Sequence, residues 1–257
     1  MRRFAGYIFD LDGTIYLGEQ AIPGAAEAVA ALRGRGARVA FLSNKPIQTR
    51  ERYAKKLTRL GIPTDPEDVI TSSHALVAAL HEEAPGARVY PVGERAIVEE
   101  LRQAGFAISR DPQGTDFVIL SFDRTFHYGK LLFAHRAVRH GARIWATNPD
   151  RTCPTENGDI PDCASMIAAL EACTGRKVER VVGKPSPAVI EAARRRLGIP
   201  LTDCLMVGDR IETDIRMARD AGCPCALVLT GVTSADAARR SDIQADYVLN
   251  SVAHLTA

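Results

Sequence analysis

Short apolar runs alternate along this chain with segments whose apolar positions recur every third or fourth residue. The runs at 7–11, 38–42, 178–182, 204–207 and 225–229 each stop abruptly at polar or glycine residues. Continuous apolarity over so few residues predicts strands buried on both faces of a parallel sheet. Between them, the wider spacing at 25–32, 187–197 and 211–221 predicts helices with one apolar face. Strand and helix in alternation argue for an α/β fold built on a Rossmann-like doubly wound parallel sheet.

Residues 80–178 repeat the alternation, with strand-like runs at 88–92, 117–122 and 143–146, but they carry no comparable set of acidic strand ends. They are expected to form a smaller α/β cap domain inserted into a discontinuous core domain of residues 1–79 and 179–257. The transitions are expected near Pro85-Gly86 and Thr174-Gly175.

Composition removes several classes of function. Hydrophobic residues make up 46% and charged residues 25% of the 257 positions, the profile of an ordered globular chain. The 33 basic and 31 acidic side chains leave a net charge of +2, which does not favour a nucleic-acid partner. The cluster Arg194-Arg195-Arg196 reads as the solvated face of a helix. Six cysteines lack the paired CxxC spacing of a structural zinc site, and free thiols suit a cytoplasmic protein. Met1-Arg2-Arg3-Phe4 runs straight into the first strand and is not read as a signal peptide. No apolar run approaches the ~18 residues that span a bilayer, so no membrane partner is expected. The six histidines form no close ligand cluster.

Doubly wound sheets bind ligands where loops converge at the carboxyl ends of the strands. The polar residues just past the predicted strands are Asp10 and Asp12, then Ser43-Asn44-Lys45, then Gly183-Lys184-Pro185, then Gly208-Asp209, with Asp214 in the helix that follows. Carboxylates at i and i+2 can face the same way while the peptide between them offers a carbonyl, an arrangement suited to Mg²⁺, which takes oxygen ligands. With charge so neutralised, Asp10 is placed to attack phosphorus and form an aspartyl phosphate. Asp12 would protonate the leaving oxygen and later deprotonate the attacking water. Ser43 offers a hydroxyl for a phosphate oxygen and Lys184 a fixed positive charge. Singly, each has a plainer reading: an acidic turn, a helix N-cap, a solvated lysine, carboxylates that complement a helix dipole. Gly183-Lys184 is not a P-loop, because position 178 is valine.

Together these residues resemble the four motifs of the haloacid dehalogenase-like phosphatases, in order and at compatible spacing. The resemblance implies Asp10 as nucleophile, Asp12 as general acid and base, Ser43 as the phosphate-binding hydroxyl and Lys184 as the phosphate-stabilising lysine. It implies magnesium held by Asp10, the carbonyl of Asp12 and Asp209, with Asp214 orienting ligands and waters. A second aspartate at position 12 points to a phosphatase or phosphomutase, since dehalogenases lack it. The segments 146–150 and 182–187 narrow the likeness to the subgroup with a large α/β cap between the second and third motifs. That subgroup includes nitrophenyl-phosphatase-like enzymes, nucleotide monophosphatases and the sugar-phosphate phosphatase of arabinose operons.

Two departures from the family pattern bear on specificity. Asp162 stands where many members have glycine, which adds an acceptor for a sugar hydroxyl or a cap for the next helix; Asn44-Lys45 replaces a pair of asparagines and adds a cation at the mouth. The expected substrate is a small phosphorylated metabolite, a sugar or polyol phosphate, with Asn44, Lys45, Asn148, Asp150 and Asp162 as further contacts. Phe126 or Tyr128 is a lesser candidate for the pocket wall. The alternatives are a nucleoside monophosphate, phosphoglycolate, or a catalytically silent phosphometabolite-binding protein. Caps of this subgroup also make a homodimer an expectation.

Overall fold

Along the first strand, alternate side chains enter two different dry layers: Tyr7 and Phe9 join one apolar cluster and Ile8 the other. The same division holds in its neighbours, where Val39 and Phe41 oppose Ala40 and Leu42, and Leu205 and Val207 oppose Cys204 and Met206. A sheet buried on both faces needs helices on both faces, which is why its strands read as unbroken apolar runs.

The computed structural model describes residues 1–155 and 157–256. The chain begins with β1 (Gly6–Asp10), a ribbon of β2 (Tyr16–Leu17) and β3 (Gln20–Ala21), α1 (Ala25–Gly34), β4 (Arg38–Ser43), α2 (Arg50–Arg59), β5 (Val69–Thr71) and α3 (Ser72–Glu83). It continues through β6 (Arg88–Val92), α4 (Arg95–Gln103), β7 (Ala107–Ile108), β8 (Phe117–Leu120), α5 (Tyr128–Arg139) and β9 (Arg143–Ala146). A second ribbon, β10 (Thr152–Cys153) and β11 (Ile160–Pro161), precedes α6 (Cys163–Thr174) and β12 (Arg180–Val181). The last part holds α7 (Pro187–Leu197), β13 (Cys204–Gly208), α8 (Arg216–Asp220), β14 (Cys225–Val228), α9 (Ala235–Arg240) and β15 (Tyr247–Leu249).

The first sheet has the order β15-β14-β13-β1-β4-β5, with every pair parallel. Successive strands leave β1 in opposite directions, so β1 sits at the topological switch point where such sheets open a crevice. Register sets what lines that crevice. Asp10 lies opposite Leu42 and Phe9 opposite Val207, so Ser43 and Gly208-Asp209 emerge at the level of Asp10.

The second sheet, β12-β9-β8-β6-β7, is also parallel and comes from the segment between β5 and β13. One expectation is corrected here. The core domain is expected to resume at residue 179, but Arg180 pairs with Trp145 and Val181 with Ala146 at the edge of this second sheet, so the residues from 179 to 182 go with it, and this strand is half-buried at an edge and not buried on both faces. The segment includes Glu179 and Arg180, which suit an edge, and its residue pattern carries no information on which sheet supplies the partner. Helix α3 joins the two layers: Ala75 belongs to a cluster of the first sheet, whereas Leu76, Ala79 and Leu80 belong to one of the second.

The predicted helix 211–221 also differs from a plain α-helix. It opens with a π-helical turn over Ile211–Ile215 before α8. Such wide turns recur at functional sites, and this one lets the Asp214 side chain fold back to accept from the backbone N–H of Arg210 at 3.1 Å.

Where the chain returns from the second sheet, Gly183 passes so close to the Thr147 carbonyl that an added Cβ would lie 2.2 Å from that oxygen. The Gly183 N–H donates to the same carbonyl at 2.8 Å. Backbone crowding of this kind has no flexible side chain to yield. Gly183→Ala should therefore lower stability by about 1–3 kcal/mol in a denaturant titration, and an unchanged midpoint would contradict the close approach.

Candidate active site

Asp10 ends β1, and Lys184 lies in the turn between β12 and α7. The Lys184 ammonium donates to Asp10 Oδ1 and, at 2.7 Å, to Asp214 Oδ1. All three side chains are buried. Exposed ion pairs contribute at most about 1 kcal/mol, but removing one member of a buried set leaves a charge uncompensated, at about 3–5 kcal/mol. The position of Lys184 is therefore tightly determined. Asn44 determines it further: its Oδ1 accepts from the Lys184 N–H at 2.8 Å and its Nδ2 donates to the Lys184 carbonyl at 3.0 Å.

Asp209 follows β13 and is pinned by the Val232 N–H, which donates to Oδ2 at 2.6 Å. Gly13 and Gly231 press on the same carboxylate; a Cβ at Gly231 would lie 1.9 Å from Asp209 Oδ2, and Gly13 has φ +87°. No other residue type fits either place without displacing Asp209. Oxygens of Asp10, Asp209 and Asp214 lie within 4.8 Å of one another. Both oxygens of Asp214 are engaged, by Lys184 and the Arg210 N–H. Among the described residues, the second oxygen of Asp10 and Oδ1 of Asp209 have no donor.

Carboxylates crowded together in a largely buried site are costly unless a proton or a cation meets them. Burial pushes Asp10 well above the ordinary range despite Lys184, and Asp214 and Asp209 add to the push. Asp209 is raised from 3.8 to about 7 by burial and then by Asp214. Burial alone would lower Lys184, but the charges of Asp10 and Asp214 outweigh it and hold it above the usual lysine range. Three crowded acids against one ammonium, all oxygen donors, fit a hard divalent cation such as Mg²⁺.

Asp12 faces elsewhere. Its Oδ1 meets the Lys45 ammonium at 3.2 Å and its Oδ2 accepts from the Tyr16 hydroxyl at 3.3 Å. Its carboxylate lies outside the cluster of Asp10, Asp209 and Asp214. Ser43 is buried at the end of β4, and its hydroxyl accepts from the Lys45 N–H at 3.2 Å. Asp10, Asp12, Ser43, Asn44, Lys45, Lys184, Asp209 and Asp214 thus border one cavity of about 40 Å³.

The expected cap contacts are placed less directly. Asn148 is fully buried and donates to Asp150 at 3.1 Å and to Asp162 at 3.0 Å. Asp162 borders the cavity, yet its Oδ1 also accepts from the Cys163 N–H as the N-cap of α6; burial raises it to about 6, against the pull of its Asn148 hydrogen bond. Asp150 accepts from Asn44 at 3.0 Å and from Arg210 at 3.4 Å. Neither Phe126 nor Tyr128 borders this cavity or the one beside it, and Tyr128 is 76% exposed.

Arg210 was missed in the sequence, although it directly follows Asp209. Its guanidinium donates to Asp150 and, at 3.0 Å, to the carbonyl of Thr152. With Asn44 it ties the first sheet to the β10–β11 ribbon, whose Thr152, Cys153 and the adjoining Pro154 roof the cavity. The available signal was position alone, a cation beside an acidic strand end.

The haloacid dehalogenase-like hydrolase model matches residues 7–107, and a second HAD-hydrolase-like model matches 181–255. The chain is 41% identical to the sugar-phosphatase AraL of Bacillus subtilis, over 98% of this chain and 92% of that protein. The chain belongs to the haloacid dehalogenase-like hydrolases. It is a phosphatase, as its relatives are. A second relative, the 5'-nucleotidase YutF of B. subtilis, is 37% identical over 91% of this chain and 90% of its own length. Among solved structures, the 4-nitrophenylphosphatase of Thermotoga maritima superposes with a TM-score of 0.92 at 32% identity, covering 98% of this chain and 96% of that one. The glycerol phosphate phosphatase of Mycobacterium tuberculosis, solved in complex with magnesium, superposes at 0.89 and 35% identity, covering 97% and 75%.

The raised carboxylates yield a prediction with a definite sign. Asp209 keeps its proton up to about pH 7 in the folded chain but only to its ordinary 3.8 when unfolded. This group therefore makes the ion-free fold less stable as pH rises through that window. A cation binds the deprotonated form. The rise in thermal midpoint on adding magnesium should therefore grow from about pH 6 to about pH 8. A rise that is constant or shrinks over that range would contradict the assignment of Asp10 and Asp209 as its ligands.

Proposed function

We propose that the chain is a magnesium-dependent phosphatase of small phosphorylated metabolites, sugar or polyol phosphates, working through an aspartyl phosphate on Asp10. The observation that carries the reading is the division of labour at the end of β1. Asp10 faces Lys184 and the other buried acids, whereas Asp12, two residues on, faces Lys45 and Tyr16.

In this reading an Asp10 oxygen attacks phosphorus and the bond to the leaving oxygen breaks in line. Asp12, in its protonated form, gives its proton to that oxygen. The resulting Asp12 carboxylate then takes a proton from a water, which attacks the acyl phosphate and frees Asp10. Lys184, the Ser43 hydroxyl and the nearby backbone donors hold the phosphoryl oxygens. Magnesium, held by Asp10, the Asp12 carbonyl and Asp209 with Asp214 orienting, would neutralise the phosphoryl charge. Its presence in the glycerol phosphate phosphatase complex supports that choice of ion.

The cavity at the site is small, about 40 Å³, and in this reading the β10–β11 ribbon separates from the first sheet to admit substrate and returns to shield the phosphoenzyme from bulk water. The likeness to AraL favours a sugar phosphate. A nucleoside monophosphate is the second reading, favoured by the likeness to YutF. Among the described residues no helix is long and apolar enough to cross a membrane, and all six cysteines are free; the thiols support a cytoplasmic setting.

Turnover of a panel of sugar, polyol and nucleotide phosphates at fixed magnesium tests the substrate class, and hydrolysis confined to nucleotides would overturn it. Asp10→Asn should abolish hydrolysis, and Asp12→Asn should slow it by about 10²–10⁴-fold, the usual contribution of a positioned acid. Turnover that survives Asp10→Asn would rule out the covalent route.

A further inference from the structure

Beside the active-site cavity lies a second one of about 290 Å³, and the two share Asp12 and Lys45 as a common wall. Asp12 is the residue that the proposed reaction turns toward the leaving oxygen. Whatever that oxygen is attached to has this larger space in front of it, and the chemistry of its lining decides what kind of group it suits.

Each cation on the described lining already has an acid. Lys45 meets Asp12 at 3.2 Å, and Lys56 of α2 meets Glu19 of the β2–β3 turn at 3.5 Å. Arg124, from the loop after β8, makes two bonds to Glu94, at 2.6 and 2.8 Å. Lys56 is fixed further by the Gly18 carbonyl, to which it donates at 2.6 Å. A charged tail entering this space has to break one of these pairs or lose its water without gaining a partner.

A nucleobase is served little better, because bases are held by apolar surface and by stacking on open ring faces. Both aromatic residues that border the cavity, Tyr16 and Tyr53, are buried, and the Lys56 ammonium sits 3.6 Å from the centroid of the Tyr16 ring. Ile47 is the one aliphatic side chain among the described lining residues.

Hydroxyls suit what remains. A hydroxyl both donates and accepts, so it adds to an ion pair without displacing either member. Gln48, in the loop between β4 and α2, is half-buried at this cavity, and among the described residues no hydrogen bond engages its amide. An amide carries donors and an acceptor side by side, the complement of two neighbouring hydroxyls.

We propose that this second cavity is the leaving-group subsite for an uncharged polyhydroxy chain, with Gln48 as a specificity-determining residue that binds hydroxyls of that chain. The inference rests on the phosphoester hydrolysis proposed at Asp10. It narrows the substrates to monophosphates of neutral sugars and polyols, as against bisphosphates and nucleotides. Loss of one neutral hydrogen bond to such a chain costs about three- to tenfold in kcat/KM.

The test compares kcat/KM for a neutral sugar monophosphate, the corresponding bisphosphate, a nucleoside monophosphate and 4-nitrophenyl phosphate, in the wild type and in Gln48→Leu. The wild type is expected to favour the sugar monophosphate over the bisphosphate and the nucleotide. Gln48→Leu should lower kcat/KM for the sugar monophosphate by about three- to tenfold and leave 4-nitrophenyl phosphate, whose leaving group carries no further hydroxyl, unchanged. That unchanged value also shows that the variant is folded and its site intact. A wild-type preference for the bisphosphate, or a sugar-monophosphate value that Gln48→Leu leaves unchanged or lowers only in step with 4-nitrophenyl phosphate, would overturn the subsite while leaving the phosphatase reading in place. A wild-type preference for the nucleotide would overturn the subsite and the sugar-phosphate reading together, and a wild type that turns over none of the four esters would remove the reaction on which both rest.

Discussion

The ammonium of Lys184, held between the carboxylates of Asp10 and Asp214 and out of water, is the contact on which the rest of the site depends. Two buried acids cannot stay ionised side by side without it. A third, Asp209, stands within the same small space, so even with Lys184 the site carries excess negative charge. That excess favours a divalent cation. In the proposed reaction the same ammonium that steadies the acids would turn to a phosphoryl group once a cation shares the load. Asn44 brackets Lys184 from both its N–H and its carbonyl, and through Asp150 it carries that positional demand to the loop after β9.

Sheet topology explains why these residues meet. Asp10 and Ser43 end β1 and β4 and Asp209 directly follows β13, three adjacent parallel strands in register, which places the three residues at one level. The excursion of the chain into a second sheet then supplies a roof. Arg210 and Asn44 hold that roof through Asp150 and Thr152, directly beside the residues proposed to meet phosphate and metal. The ribbon and the site are thus tied together through shared side chains.

Much of this was legible in the sequence because a buried strand and the polar residue that ends it are a local signal. Asp10, Asp12, Ser43, Lys184 and Asp209 could each be found that way, and their joint pattern carried the family resemblance. What escaped was non-local. The run 178–182 read as a buried core strand, but it is a half-buried edge strand beside β9. Asp162 could be read as a sugar contact or a helix cap, and its bond from the Cys163 N–H shows it capping α6 while bordering the cavity. Arg210 gave no sign that it reaches the roof.

The central claim is that Asp10, positioned by Lys184, becomes covalently phosphorylated during turnover. Rapid acid quench of the enzyme mixed with a sugar phosphate and magnesium, followed by proteolysis and mass spectrometry, tests it most directly. The account predicts a phosphoryl group on the peptide containing Asp10, lost again as substrate is exhausted. Steady turnover with no phosphorylated peptide at any quench time, or with the group on another residue, would contradict it.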